Sequence, residues 1–184
     1  KLDAIRKDLD LFRVHFDSWM HERFFYQDNA ARINQCIESL KQKGLTYEKD
    51  GALWFQSTKF GDDKDRVLKK NTGLLTYLTP DIANHVYKFE RGYDTLKVKV
   101  GIDPTLDVAR LSAIREAIGK DYRIRIDANQ AWTPKQAIKL LNQMQDKGLD
   151  IELVEQPVKA HDFEGLAYVT KYANVPVLAD ESVF

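Results

Sequence analysis

The chain has 184 residues, of which 43% are hydrophobic, and its 28 lysines and arginines are balanced by 28 aspartates and glutamates. This composition is typical of a folded globular chain and excludes a disordered one, and the zero net charge gives no reason to expect a nucleic-acid partner. Because a single cysteine excludes an internal disulfide and no apolar run could cross a membrane, we expect a cytoplasmic protein of one or two domains without a membrane partner.

Residues 1–94 combine helix and hairpin signals. Two sets of apolar residues recur at helical spacing, and each set predicts a helix that packs against a core. The sets are Leu2, Ile5, Leu9 and Phe12, and then Ile33, Ile37 and Leu40. Asp50 and Gly51, which both tolerate positive φ, separate two β-rich runs at 45–48 and 52–55 and predict a hairpin.

A second turn and a third helix follow in the same segment. The Asn71-Thr72-Gly73 sequence predicts a turn between runs at 67–68 and 74–77. Thr79-Pro80-Asp81 is typical of a helix start, and Gly92 is placed to follow the helix end. We expect the buried face of this helix to carry Ile82, Val86 and Phe89.

Residues 95–184 alternate short β-rich runs with amphipathic helices. Strands are predicted at 96–100, 123–127, 151–155 and 177–180, and helices are predicted to follow Asp103, Thr133 and Asp162. Thr133 and Gln136 have the spacing of a capping box, with Pro134 at the first helical position. The alternation predicts parallel strands with right-handed crossovers, and therefore either a doubly wound sheet or part of a (β/α) barrel.

A charged residue lies at the C-terminal end of each of the four predicted strands. These residues are Lys99, Asp127, Glu155 and Asp180. Because the carboxyl ends of parallel strands meet at one rim, where barrel enzymes have their active sites, we expect three carboxylates to converge beside a lysine. Such oxygen ligands suit Mg²⁺, and a lysine near the cation can have its pKa lowered enough to remove the proton α to a metal-held carboxylate. Each carboxylate taken alone is also typical of a turn or a helix cap.

Four motifs in this part of the chain, TLKVKVG, RIDANQAW, IELVEQPV and VLADESVF, resemble the barrel of the enolase superfamily and, within it, the dipeptide (L-Ala-D/L-Glu) epimerases. The resemblance runs from about residue 95 to 184 and implies a partial TIM barrel. It also implies that Lys99 is the catalytic acid/base and that Lys97 assists the substrate carboxylate. The Mg²⁺ ligands that it implies are Asp127, Glu155 and Asp180. In the alternative interpretation, Lys97 and Lys99 belong to a solvated strand face of an open sheet.

Three motifs in the first part, YEKDGALWFQSTKFGDDKDRV, LTYLTPDIANH and KFERGYD, resemble the catalytic domain of an arginyl-tRNA synthetase over about residues 11–94. The resemblance implies that Tyr77 and Asp81 contact the arginine substrate, and a carboxylate can bind a guanidinium through paired hydrogen bonds. The HIGH-type and KMSKS-type ATP-binding signatures of that family are absent from the sequence. In the alternative interpretation, Asp81 is stabilised by the helix dipole and Tyr77 is a core aromatic residue.

The two resemblances together predict an α/β chimera, in which a helix and hairpin segment at 1–94 is joined to a parallel βαβαβαβ partial TIM barrel at 95–184. We expect an artificial or recombined chain without native catalytic activity that keeps a vestigial Mg²⁺-binding acid/base site. Two alternatives are a Mg²⁺-dependent isomerase of the dipeptide epimerase type and an arginine-binding synthetase fragment. The expected ligands are therefore a small dipeptide or arginine, and the open edges of a four-stranded sheet can pair two copies into a homodimer.

Overall fold

The computed structural model describes residues 2–183. Lys1 and Phe184, the outer ends of the two predicted segments, lie outside the described residues. The helices are α1 (Leu2–Leu11), α2 (Gln27–Gln42), α3 (Leu78–Glu90), α4 (Pro104–Ile118), α5 (Pro134–Asp146) and α6 (Phe163–Tyr172), with short 3₁₀ helices at Glu22–Tyr26 and Ser57–Phe60. The strands are β1 (Thr46–Lys49), β2 (Ala52–Phe55), β3 (Arg66–Lys69), β4 (Thr95–Lys99), β5 (Arg123–Asp127), β6 (Ile151–Glu155) and β7 (Val177–Leu178). No helix among residues 2–183 is long and apolar enough to span a membrane.

The first part of the chain folds as a three-stranded antiparallel sheet packed against helices. The sheet order is β1-β2-β3, and the predicted hairpin turn forms with positive φ at Asp50 (52°) and Gly51 (73°). The chain after the turn at 71–73 returns to β3 through an isolated bridge between Lys69 and Leu75. The core of this part contains Phe25, Ile33, Ile37, Leu53, Leu68 and Ala83. The predicted mixture of helices and a hairpin is therefore confirmed.

Two predictions of packing in this part are wrong. Helix α1 forms at the predicted place, but none of its residues is buried, and Phe12 after it is 80% exposed. In α3, Val86 is exposed, and the buried face consists of Thr79, Pro80 and Ala83. Apolar periodicity identifies a face that could be buried, but it does not identify the neighbour that would bury it.

The second part of the chain is a four-stranded parallel sheet with one helix in each crossover. The strand order is β4-β5-β6-β7, and α4, α5 and α6 connect successive strands. These helices and the sheet share one core, whose most buried members include Leu111, Ile124, Ile126, Leu141, Met144, Val154 and Val169. This is the predicted βαβαβαβ order of a partial barrel, with β4 and β7 as edge strands. The homodimer expected through these edges stays a prediction.

Side-chain caps start the crossover helices soon after the strand ends. Asp103 and Asp162 each accept a backbone N–H group from the first turn of the helix that follows them, at 3.0 and 2.8 Å. Thr133 and Gln136 form the predicted capping box at the start of α5. Each cap satisfies an N–H group that has no partner within its helix. The caps therefore fix where the chain turns back at the rim of the sheet.

The sheet face opposite these helices carries charged side chains. The side chains of Lys97 and Lys99 are 48% and 69% exposed, which agrees with the alternative interpretation of a solvated strand face. Arg125 forms an ion pair with Glu152 on this face. The charges here are therefore neutralised by one another while they remain in contact with solvent.

The two parts of the chain contact each other beside the parallel sheet. The ring of Phe89 in α3 meets the ring of Tyr122, just before β5, edge to face at a centroid distance of 4.9 Å. The guanidinium group of Arg110 in α4 donates to the carbonyl oxygen of Gly61 at 3.1 Å. The junction is thus supported by packing between the parts as well as by the continuous backbone.

Candidate functional site

Three strand ends place three of the four predicted charged residues at one rim of the parallel sheet. Lys99 lies opposite Asp127 in the β4–β5 register, and Asp127 lies opposite Glu155 in the β5–β6 register. Because side chains alternate along a strand, Lys97 projects from the same face as Lys99, one step back from the rim. Asp127 is 2% exposed and Glu155 is 7% exposed, whereas both lysines reach solvent.

The ammonium group of Lys97 binds both buried carboxylates. Its Nζ lies 2.6 and 2.7 Å from the two carboxylate oxygens of Glu155 and 3.2 Å from Oδ2 of Asp127. The Nζ of Lys99 lies 3.6 Å from the same oxygen of Asp127. Two carboxylates that converge on one cation can also hold a divalent metal ion, and in this structure the cation is the lysine ammonium. The structure therefore brings together four of the five residues predicted for this site.

These contacts determine the protonation of the site. Hydrogen bonding to Glu155 raises the pKa of Lys97, against the opposing effect of burial. Burial raises the pKa of Asp127, but the N–H group of Asn129 and the Lys97 ammonium outweigh burial, so this pKa lies below its usual value. Lys97 is therefore held as an ammonium donor while it binds the two acids. Lys99 has a single, longer contact, 3.6 Å from Asp127, and its side chain is more exposed than that of Lys97.

Asp180, the third predicted ligand, does not join this cluster. Strand β7 ends at Leu178, two residues earlier than predicted, so Asp180 lies in a turn beyond the strand and is exposed. Among residues 2–183, no three His, Cys, Asp or Glu side chains are arranged to hold a metal ion. Asp127 and Glu155 present convergent carboxylate oxygens, the type of donor that Mg²⁺ prefers, and Asp180 is a third carboxylate that lies outside the cluster.

Gln156, which directly follows Glu155, was missed by the sequence analysis. Its amide is fully buried, and its Oε1 accepts the backbone N–H group of Asp180 at 2.9 Å. The available signal was a glutamine at the end of an apolar strand, in IELVEQPV, because a buried amide must find hydrogen-bond partners. The motif does not say which residues supply those partners.

The two residues predicted to contact arginine lie at the start of α3, in the first part of the chain. Tyr77 is 75% exposed, so its alternative interpretation as a core aromatic residue is wrong. Asp81 lies in the first turn of α3, and its N–H group donates to the carbonyl oxygen of Tyr77 at 3.3 Å. Burial, Glu22 and the charge of Asp81 together raise the pKa of Tyr26, which places a second phenol near this carboxylate. Tyr77 and Asp81 thus lie one helical turn apart at an exposed helix start.

Family comparisons match both parts of the chain. The family described as enolase C-terminal domain-like matches residues 81–184. The family described as tRNA synthetases class I (R), catalytic domain, matches residues 1–114. Each match covers more than half of the chain, and residues 81–114 are common to both.

Individual relatives divide in the same way. The L-Ala-D/L-Glu epimerase of Clostridium acetobutylicum is 60% identical over 93 residues, which are 50% of this chain and 26% of that protein. The arginine–tRNA ligase of Bacillus subtilis is 50% identical over 119 residues, which are 65% of this chain and 21% of that protein. The chain therefore spans about a fifth to a quarter of the length of these relatives.

Solved structures resemble the second part of the chain. A substrate-liganded L-Ala-D/L-Glu epimerase from Bacillus subtilis superimposes with a TM-score of 0.52 and 46% identity, over 55% of this chain and 28% of that one. A dipeptide epimerase from Enterococcus faecalis, complexed with Mg and L-Leu-L-Tyr, gives 0.51 and 54% identity over the same shares of the two chains. The chain therefore belongs to the enolase C-terminal domain-like family through residues 81–184 and to the class I (R) tRNA synthetases through residues 1–114.

Proposed function

We propose that the rim of the parallel sheet is a divalent-cation-assisted site for proton exchange at the α-carbon of a dipeptide. The observation that carries this proposal is the convergence of Asp127 and Glu155 on one cation, the Lys97 ammonium, with Lys99 beside them. In this proposal Asp127, Glu155 and Asp180 are the ligands of Mg²⁺. The metal ion, when bound, supplies the positive charge that stabilises the enediolate formed when the α-proton leaves.

The two lysines have different roles in this proposal. With a divalent cation held by the carboxylates, the Lys97 ammonium group would be free to bind the substrate carboxylate. Lys99 removes the α-proton and returns a proton to the same carbon. Because its contact with Asp127 is 3.6 Å long, Lys99 can approach a substrate without breaking a short ion pair.

The placement of the lysines favours proton exchange over epimerisation. Both lysines lie on β4, and β5, β6 and β7 contribute no lysine to the described sheet. A proton that leaves from and returns to one face of the α-carbon restores the original configuration. We therefore expect solvent deuterium to enter an L,L-dipeptide without formation of the D-epimer.

The relatives support a dipeptide as the substrate class. The Enterococcus faecalis structure contains Mg and L-Leu-L-Tyr, and the Clostridium acetobutylicum relative is an L-Ala-D/L-Glu epimerase. This chain spans about a quarter of each of these proteins. Its activity and substrate are therefore proposals that depend on the residues at the rim.

The test is to incubate the protein with L-Ala-L-Glu and Mg²⁺ in deuterated water and to follow the glutamate α-proton by NMR. We expect slow loss of this signal, which stops on addition of a chelator and in Lys99→Ala. Lys139→Ala, which changes an exposed lysine of α5, is the matched control and should exchange like the unaltered chain. Exchange that is independent of Lys99, or no exchange at all with Mg²⁺ present, would rule the proposal out.

We also infer that the chain is a recombined chimera with its junction near residue 94. Gly92 follows the end of α3 and Thr95 begins β4, so a crossover between them interrupts no helix or strand. The overlap of the two family matches at 81–114 contains this point. In such a chain native epimerase turnover is not expected, and the proposed exchange is a remnant of the parent activity.

Arginine binding at the start of α3 is a second candidate function. Asp81 is an exposed carboxylate with Tyr77 one turn before it, and its charge reaches the phenol of Tyr26. A guanidinium group can bind such a carboxylate and stack on an aromatic ring. Calorimetric titration with arginine should give a heat of binding that Asp81→Ala removes, and equal heats from both proteins would exclude this candidate.

A further inference from the structure

The amide side chain of Gln156 lies at the point where β6 ends at the rim. The backbone of Gln156 has a φ of 35°, in the left-handed region, so the extended strand stops directly after Glu155. Its backbone N–H group still donates to the carbonyl oxygen of Leu178 in β7 at 2.8 Å. Gln156, the residue after β6, therefore makes the last backbone hydrogen bond to β7 at this end of the sheet.

All hydrogen-bonding groups of the Gln156 side chain have partners. Its Nε2 donates to the carbonyl oxygen of Val158 at 3.0 Å and to Oγ of Ser182 at 2.8 Å. Its Oε1 accepts the N–H groups of Asp180 at 2.9 Å and of Ser182 at 3.2 Å. The amide is fully buried, and its NH₂ group and its oxygen point in different directions. These hydrogen bonds can therefore form with only one orientation of the Gln156 amide.

The turn at 180–182 depends on this amide for its position. Strand β7 contains only Val177 and Leu178, so the backbone beyond Leu178 receives no further ladder hydrogen bonds from β6. In residues 179–182, the N–H groups of Asp180 and Ser182 instead donate to Oε1 of Gln156. Without that oxygen, these N–H groups would need water, and the backbone of the turn at 180–182 would lose its fixed place.

Neighbouring polar side chains hold the same turn to the other two rim loops. Ser182 Oγ donates to the carbonyl oxygen of Ala160 at 2.8 Å, and the Ala160 N–H group donates to Oε1 of Gln130 at 3.0 Å. Asn129 donates from Nδ2 to Oε1 of Glu181 at 2.9 Å. The loops after β5, β6 and β7 are thus tied to one another, with the Gln156 amide at their centre.

We infer that Gln156 is a positioning residue that holds the backbone of Asp180 at the rim so that its carboxylate can join Asp127 and Glu155 around a divalent cation. Gln156 does not itself touch the cation, and it acts only through the 180–182 turn. This inference rests on the proposed function for the existence of the cation site. The placement of Asp180 by the Gln156 side chain can also be measured without a cation.

The test is a double-mutant cycle on Mn²⁺ affinity, measured by isothermal titration calorimetry of the full chain. Gln156→Asn keeps the amide but shortens its reach by one methylene, and we expect it to weaken Mn²⁺ binding by about tenfold, as changes behind a metal ligand commonly do. In an Asp180→Asn background the same change should have almost no further effect, because the ligand that it positions is already lost. Gln143→Asn, at an exposed position of α5, is the matched control and should leave the affinity unchanged.

Equal weakening by Gln156→Asn in both backgrounds would overturn the inference and leave the proposed function intact, since a merely structural role does not depend on Asp180. If the unaltered chain binds no Mn²⁺, the proposed function fails, and amide hydrogen exchange decides the inference. The Asp180 N–H group should then lose protection in Gln156→Asn, while the Ala128 N–H group, which donates to the carbonyl of Glu155, should keep it. Equal loss at both amides, or no loss at Asp180, would overturn the inference.

Discussion

The Nζ of Lys97 lies 2.6 Å from Oε1 of Glu155, although the two residues are 58 positions apart in the sequence. The carboxylate is almost fully buried, and the lysine side chain is half exposed. Removal of one partner from such a pair leaves a buried charge without its neutralising partner, which costs more than the loss of a surface ion pair. Lys97 is therefore a structural residue as well as a candidate catalytic one.

Lys97→Met should lower the free energy of unfolding by about 1–3 kcal/mol at neutral pH in the presence of a chelator, less than for a fully buried pair because Lys97 reaches solvent. Lys99→Met is the matched control. Its single contact with Asp127 is longer and its side chain is more exposed, so we expect about 0–1 kcal/mol. Urea denaturation of the two variants tests this difference, and equal effects would show that the short Lys97 contacts stabilise the fold no more than the longer Lys99 contact does.

Gly101→Ala should disrupt the loop between β4 and α4. Gly101 has a φ of 95°, and an added Cβ would overlap Cβ of Ala131 and lie 3.0 Å from the carbonyl oxygen of Ala128. Backbone strain and this clash together should lower the free energy of unfolding by about 2–5 kcal/mol. Gly73→Ala, with a similar φ of 84° and nothing within 4 Å, should cost only about 1–2 kcal/mol. Thermal unfolding compares the two, and an equal loss would mean that the contact with the β5–α5 loop is unimportant.

Asp107 should make the stability of the protein fall as pH rises through the acidic range. Its carboxylate is 1% exposed, and burial raises its pKa above the ordinary value of 3.8, although the Gly101 N–H group and Arg110 act in the opposite direction. The unfolded chain therefore releases this proton at lower pH than the folded chain does. The contribution of Asp107 to the free energy of unfolding is therefore complete below the unfolded-state pKa. It decreases as pH rises from the unfolded-state to the folded-state pKa, and it does not change further at higher pH.

The measurement is the melting temperature of Asp107→Asn relative to the unaltered chain, followed from pH 3 upwards. The difference should move in favour of the variant as pH rises and then level off, because asparagine has no proton to lose. Asp121→Asn, at an exposed position, is the control for a general change of charge. A difference that does not change with pH would contradict the raised pKa of Asp107.

Much of the second part of the fold could be predicted because its signals are local. Thr133, Pro134 and Gln136 are neighbours in sequence, and their capping box formed as expected. The regular alternation of strands and helices also predicted the order of the parallel sheet, since crossover connections leave few alternatives. The exposure of α1 was not predictable in this way, because its apolar spacing predicts a helix but does not show whether another part of the fold covers it.

The sequence indicated which residues would meet at the rim better than it indicated which of them would bind one another. Strand ends indicated that Lys99, Asp127 and Glu155 meet at one rim, and the parallel register places them there. The sequence did not indicate that Lys97 would bind both acids, because spacing does not say which cation two carboxylates share. It also did not indicate that β7 would end before Asp180. The length of β7, which is two residues, is set by how far it pairs with β6, and the sequence of β7 alone does not show this.

The central claim is that the two carboxylates which bind the Lys97 ammonium can exchange it for a divalent cation. A crystal structure of the full chain determined with Mn²⁺ and anomalous scattering tests this most directly. We predict one anomalous peak bound by carboxylate oxygens of Asp127 and Glu155, with the Lys97 Nζ displaced from both. A saturated crystal in which Lys97 still bridges the two acids, with Mn²⁺ elsewhere or not bound, would contradict the account.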